Sequence, residues 1–204
     1  MTMTKLRAWI AIQELHKHPV SLLPFFLGTV LAYTQAGHID RGVIGVALGA
    51  LFLLTNGTYI SNEYYDYEND KANDERIGGQ DGVGVTTTGG TRVLVRGELS
   101  RREALIASIV CFALAVPLGL VLQFVMHTGT LTVPLGIFGI LVGWCYTAPP
   151  VKAAYRGFGE VLMAFGYALI VFGGYYIQQG LSWLPIVVSL PWFVAIPALK
   201  ILRE

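Results

Sequence analysis

The sequence predicts an all-α membrane protein, a polytopic bundle of apolar helices. Three observations predict it. Apolar residues make up 54% of the 204 residues and charged residues only 13%, where a soluble domain carries roughly 25%. The mean hydropathy is +0.58. The charges are clustered, so that residues 43–62, 104–151 and 161–199 carry none, and a spanning helix needs about 20 mostly apolar residues. The same figures exclude other classes. So apolar a chain is not disordered. Two cysteines build no disulfide framework. A formal net charge of +1 gives no electrostatic basis for binding nucleic acid.

Turn residues divide the chain into six expected spans. The first covers residues 19–33, with the amphipathic stretch 8–15 as a backward extension, and ends at Gln35-Ala36-Gly37-His38. The second covers 42–64. The third covers 103–126 and ends at His127-Thr128-Gly129. The fourth covers 131–147 and is stopped by Pro149-Pro150, because proline cannot continue a helix. The fifth covers 159–178 and the sixth 183–202. No soluble domain and no repeat interrupts them, so residues 1–204 read as one membrane domain. Residues 1–19 contain Lys5, Arg7, Glu14 and Lys17 and do not read as a cleavable signal. Cys111 and Cys145 fall inside spans and read as reduced packing residues.

Lysine and arginine set the orientation. With the N-terminus in the cytoplasm of a cell membrane, the outer loops 34–41, 127–130 and 179–182 hold only Arg41 of the 14 basic residues. Seven of the 13 acidic residues lie between Glu63 and Asp81, on the expected cytoplasmic side.

That acidic segment carries the chemistry. Asn62, Asp66, Asp70 and Asp74 recur every four residues, a spacing that stacks side chains on one helix face. A row of oxygen donors suits a hard cation such as Mg²⁺, which takes one or two carboxylates and completes its shell with water and phosphate. A solvated helix end with incidental acids is the plainer alternative. Tyr59, Tyr64, Tyr65 and Tyr67 read as an interfacial aromatic belt. The glycine-rich segment 78–97 lacks the Gly-Lys-Ser/Thr of a phosphate loop. Its Arg92 and Arg96 are suited either to a phosphate or to anchoring on the inner membrane face. Lys152 and Arg156, in the loop after Pro149-Pro150, share the acidic face. Acids that hold Mg²⁺ beside Lys and Arg form a diphosphate site in outline. Glu160 either favours the start of the fifth helix or pairs with Arg156. Gly45 with Gly49, and Gly139 with Gly143, read as close helix packing. His16, His18, His38 and His127 are scattered and suggest no metal site.

In its Asn62-x3-Asp66-x3-Asp70 motif the sequence resembles the UbiA superfamily of intramembrane prenyltransferases. The segments Gly89-Gly90-Thr91-Arg92-Val93-Leu94-Val95-Arg96-Gly97 and Tyr146-Thr147-Ala148-Pro149-Pro150, continuing to Tyr155-Arg156-Gly157 and Gly159-Glu160, are similar to its 1,4-dihydroxy-2-naphthoate branch, which serves menaquinone synthesis. The resemblance runs along most of the chain. It implies a helical bundle of about nine spans, six of them present here, around a cavity near the cytoplasmic face. It implies Mg²⁺ on Asn62, Asp66 and Asp70, gripping a prenyl diphosphate. Lys152 and Arg156, with Arg92 and Arg96, would stabilise the leaving diphosphate. Tyr146 would contact an allylic cation. The partners implied are a prenyl diphosphate, an aromatic quinone precursor and the lipid bilayer. The family also has a second aspartate-rich motif after the sixth span, and Leu199-Lys200-Ile201-Leu202-Arg203-Glu204 does not supply it. The resemblance therefore implies the N-terminal two-thirds of such an enzyme, with an incomplete diphosphate site.

Other readings are a different acceptor within the superfamily, or a non-catalytic membrane subunit. A CDP-alcohol phosphotransferase would need its Asp-Gly ahead of the spaced aspartates, whereas Asp81-Gly82 comes after them. A transporter would place charges or broken helices near the bilayer midplane, and here they gather at one face.

Overall fold

Helices form where the apolar runs predict them, and glycine, proline and a few left-handed residues separate them. The computed structural model describes residues 3–77 and 90–201. The helices among these residues are α1 (Met3–Ile12), α2 (Pro19–Ala36), α3 (Arg41–Ile77), α4 (Arg101–Leu120), α5 (Thr132–Thr147), α6 (Gly159–Gln179) and α7 (Leu184–Ile201). A π-helical turn, Val121–Val125, extends α4, and short 3₁₀ turns occupy Leu15–Lys17 and Ala153–Tyr155. No strand occurs among the described residues.

The helix ends have local causes. Pro19 opens α2 at a position where its missing N–H costs nothing. Gly37 closes it at φ 72°, donating its N–H to the Tyr33 carbonyl at 2.8 Å. Asp40 Oδ1 accepts from the Gly42 and Val43 amides at 2.7 and 3.1 Å, capping α3. Ser100 and Glu103 form a reciprocal capping box at the start of α4.

Two expectations need correction. Residues 8–15 do not extend the first span. The chain breaks at Glu14, which is left-handed at φ 48° and paired with Lys17 at 2.5 Å. α1 is instead a separate helix whose Ala8 and Ile12 pack with Ile60, Val93, Leu94, Leu99 and Ala104. Lys5 ties it to Glu103 at 2.5 Å. The second span does not stop near residue 64 either. α3 runs on to Ile77, because no glycine or proline intervenes before Gly78. Its 37 residues rise about 55 Å, well beyond a hydrocarbon core of about 30 Å. The acidic motif lies in the second half of α3.

By length and composition, α2, α3, α4 with its π turn, and α6 are apolar enough to cross a membrane; α5 and residues 184–196 of α7 are shorter apolar stretches. α3 packs chiefly on α4, and α2 on α6. α6 also packs on α7, and α5 touches both α3 and α6. The closest approach is between α2 and α6. A Cβ on Gly28 would lie 2.0 Å from the Val171 carbonyl oxygen, and one on Gly174 would lie 2.5 Å from that of Phe25. Only glycine allows these backbones to meet. Gly143 also packs closely, against Thr58, whereas Gly45 faces open space and Gly49 makes only an ordinary contact with Leu118. The small-residue spacing at 45 and 49 therefore marks no tight helix pair.

Candidate active site

A cavity of about 900 Å³ lies between α2, α3, α5 and α6. Its depth is apolar, walled by residues such as Leu51, Leu54, Val133, Ile140 and Ile170. Glycines make the room. Gly136 on α5 and Gly173 on α6 both line the cavity, and a Cβ on either would meet nothing within 4 Å.

The mouth is polar. α3 supplies Asn62, Glu63, Asp66, Asn69 and Asp70 to the wall. The helical spacing puts Asp66 and Asp70 one turn apart, about 6 Å along the axis. Asp70 is buried, with 8% exposure. It accepts a hydrogen bond from the Gly90 amide, and the charge of Arg92 acts on it. Asp66 accepts from the Tyr155 hydroxyl, and the charge of Lys152 acts on it. Asn62 Oδ1 accepts from the Thr147 hydroxyl at 2.8 Å, which orients its amide. Partial burial and the neighbouring Asp66 carboxylate push the Tyr155 phenol above its ordinary value, so it remains a hydrogen-bond donor. Tyr146 also lines the wall.

The donor set suits a hard cation shared with a ligand. All three α3 side chains offer oxygen, as Mg²⁺ prefers. Among the described residues no group of three or more His, Cys, Asp or Glu gathers closely enough to hold a metal alone. Two carboxylates leave several positions of an octahedral shell for water and phosphate.

Not every expected residue reaches the cavity wall. Arg96 and Arg156 are exposed and lie off it. Lys152 is exposed at the rim, held in a left-handed conformation at φ 47°. Asp74, in the same four-residue series, lies where side chains are outside the described set.

The profile of the UbiA prenyltransferase family matches residues 21–203. The chain belongs to that family. It is 24% identical over 191 residues to the 1,4-dihydroxy-2-naphthoate octaprenyltransferase of Bacillus subtilis (strain 168), a match covering 91% of this chain and 56% of that protein. It is 28% identical over 177 residues to the chloroplastic 2-carboxy-1,4-naphthoquinone phytyltransferase of Arabidopsis thaliana, covering 85% of this chain and 41% of the relative. The chain thus spans about half the length of the curated relatives it matches. No solved structure matches it.

Within the cavity of this UbiA-family chain, several residues make contacts that spacing did not disclose. Glu14 and Lys17, at the break before α2, line the mouth as an ion pair. Glu63 is buried in it. The tyrosines do not form a uniform belt. Tyr59 lines the cavity, Tyr64 and Tyr67 flank the Arg101 guanidinium at 5.1 and 4.6 Å, and Tyr65 packs edge-on to Trp144. The sequence signal for Glu63 was its place beside Asn62; the signal for Tyr155 was the Tyr-Arg-Gly segment after the double proline.

Proposed function

We propose that this UbiA-family protein serves the Mg²⁺-dependent transfer of a prenyl chain from a prenyl diphosphate to an aromatic quinone precursor resembling 1,4-dihydroxy-2-naphthoate. One observation carries the reading: a single cavity has the carboxylates of Glu63, Asp66 and Asp70 and the Glu14–Lys17 pair at its mouth, with the charges of Arg92 and Lys152 acting on its aspartates, and a large apolar depth behind them. An amphiphile with an anionic head and a hydrocarbon tail fits that division. The names of the two relatives point to a naphthoate-type acceptor.

In this reading Asp66, Asp70 and Asn62 hold the cation, and the tail lies in the apolar depth. Bound Mg²⁺ supplies charge neutralisation that makes the diphosphate a better leaving group. Arg92 and Lys152 flank the two aspartates and add positive charge where the diphosphate departs with the electron pair of the broken C–O bond. The Tyr155 hydroxyl fixes Asp66. Tyr146 presents its ring to the allylic carbon as positive charge develops there. The acceptor ring carbon then bonds to that allylic carbon and sheds the group it carried, H⁺ to water or, at a carboxylate-bearing carbon, CO2, which restores the aromatic ring. Arg96 and Arg156 raise the positive field at the rim from outside. In this reading the mouth faces the cytoplasm, which the distribution of basic residues supports.

The test is transfer of a labelled prenyl group to 1,4-dihydroxy-2-naphthoate in membranes containing the protein. Activity is expected with Mg²⁺ and is lost on chelation. Asp66→Asn is expected to lower the rate about 100-fold or more, as loss of a group stabilising developing charge does. Wild-type turnover by Asp66→Asn overturns the site. Transfer to another aromatic acceptor alone would move the protein to a different branch.

A further inference from the structure

Glu63 is the most buried carboxylate at the mouth, with 4% exposure, and the chemistry above does not use it. It stands one residue after Asn62 and three before Asp66, so it shares the acidic stretch of α3. Its carboxylate is engaged by the protein itself. Oε1 accepts the Thr91 amide at 2.5 Å, and the Thr91 hydroxyl bonds to the same group. Gly90 lies directly against it: a Cβ there would sit 1.6 Å from Glu63 Oε1. The contact joins two segments 28 residues apart in sequence.

The chain leaves this anchor through a strained turn. Arg92 holds a left-handed backbone at φ 58° without being glycine, a conformation that persists only where its surroundings impose it. The Arg92 carbonyl accepts from the Arg96 amide at 2.9 Å, and the Val93 carbonyl from the Glu98 amide at 3.1 Å. Val93 and Leu94 are buried against α1, α3 and α4. The downstream side of Arg92 is therefore fixed by packing, and the upstream side by Glu63. Between them, the Gly90 amide and the Arg92 charge are brought to Asp70.

We propose that Glu63 is a positioning residue, holding the 90–92 turn against α3 so that Arg92 and the Gly90 amide sit beside Asp70 at the mouth. Glu63 acts as a hydrogen-bond acceptor in this role, and its charge is secondary. The diphosphate part of the proposal rests on the prenyl-transfer reading; the anchoring part does not.

The test uses the full chain in detergent or nanodiscs, with two readouts that need no turnover. The first is hydrogen exchange at the Gly90–Arg92 amides without ligand. The second is retention of inorganic diphosphate in the presence of Mg²⁺. Glu63→Ala removes the acceptor. Gly90→Ala displaces the carboxylate from the other side without altering α3. Both are expected to speed exchange about tenfold or more and to weaken diphosphate retention about tenfold, the scale of one buried hydrogen bond. Glu63→Gln keeps an acceptor oxygen for the Thr91 amide and is expected to stay within about threefold of wild type in both readouts. Where Glu63→Ala fails to fold, Gly90→Ala and Glu63→Gln carry the comparison. Exchange unchanged in Glu63→Ala or Gly90→Ala overturns the anchor. Diphosphate retention as poor in Glu63→Gln as in Glu63→Ala overturns it too, and makes Glu63 a charged ligand-binding group. Faster exchange in a protein whose wild type retains no diphosphate upholds the anchor and counts against the prenyl-transfer reading.

Discussion

At the end of the bundle formed by residues 37–40, 126–131 and 178–183, neutral side chains close the turns, apart from the Asp40 carboxylate that caps α3. Gln178 accepts the Asp40 amide at 2.8 Å and donates to the Asp40 carbonyl at 3.1 Å. The Tyr176 hydroxyl accepts the Leu131 amide at 3.0 Å. Gln123 accepts from Val133 at 2.9 Å, and Thr128 bonds to the Leu122 carbonyl and to Thr132. At the opposite end, the carboxylates of α3 and the Glu14–Lys17 pair line the mouth of the cavity with Gly90 and Tyr155, and the charges of Arg92 and Lys152 act on its aspartates. The first end satisfies its own backbone. The second gathers charge where a charged ligand enters. Polar residues at a membrane helix end are thus of two kinds, and only their partners distinguish them.

The sharpest way to break this comparison is to remove one group from each end. Asp70→Asn is expected to cost about 100-fold in prenyl transfer. Gln178→Leu removes the side-chain partner of two exposed backbone groups of Asp40, which water can replace, and is expected to cost no more than about 0.5–1.5 kcal/mol of stability while the rate per folded molecule holds. Initial rates and thermal unfolding on the same preparations check both. Equal loss of rate in the two variants would erase the distinction.

A smaller effect is expected between the mouth and the depth. Gly173→Leu adds a side chain to open space inside the apolar wall. It is expected to favour short prenyl diphosphates over long ones by about tenfold in kcat/KM, the scale of a few methylenes in an apolar pocket. The mouth is untouched, so the rate with a short donor is expected to persist. A uniform loss across chain lengths would place the tail elsewhere.

The smallest effect concerns His18, which sits just ahead of α2 near the mouth. Its imidazole packs near Phe52 and Tyr59 and meets the Gln13 carbonyl at 3.2 Å. Burial lowers its value below the ordinary 6.5 against the raising effect of that carbonyl. The folded protein thus keeps His18 neutral, and the unfolded chain takes up the proton first as pH falls. Stability is expected to be full above about pH 6.5 and to decline below it. His18→Phe is expected to remove that part of the slope in thermal unfolding measured against pH.

Several elements of the fold were legible in the sequence. Pro149-Pro150 and Gly37 act within a few residues, so local chemistry sets the helix ends there. The four-residue spacing of Asn62, Asp66 and Asp70 gave a shared helix face because helical geometry is local too. The helix of the second span runs past its expected end because the charged stretch 65–77 holds no glycine or proline. Glu14 was hidden for the opposite reason: a left-handed break at a residue with no turn signature is imposed by its surroundings, here the Lys17 pair and the packing of α1.

By itself, the sequence determined an all-helical membrane protein of the UbiA family, with its carboxylates on one helix face near one end. Apolar length, turn residues and helical period are sufficient for that. Tertiary structure alone decided that Gly28 and Gly174 form the tight helix contact, and that Gly136 and Gly173 open a cavity instead. It also decided that Tyr155 meets Asp66 across 89 residues and that Glu63 turns from the aspartate row to hold Thr91. Each of these depends on the distance between two backbones, which the packing of the whole bundle sets and no local pattern encodes.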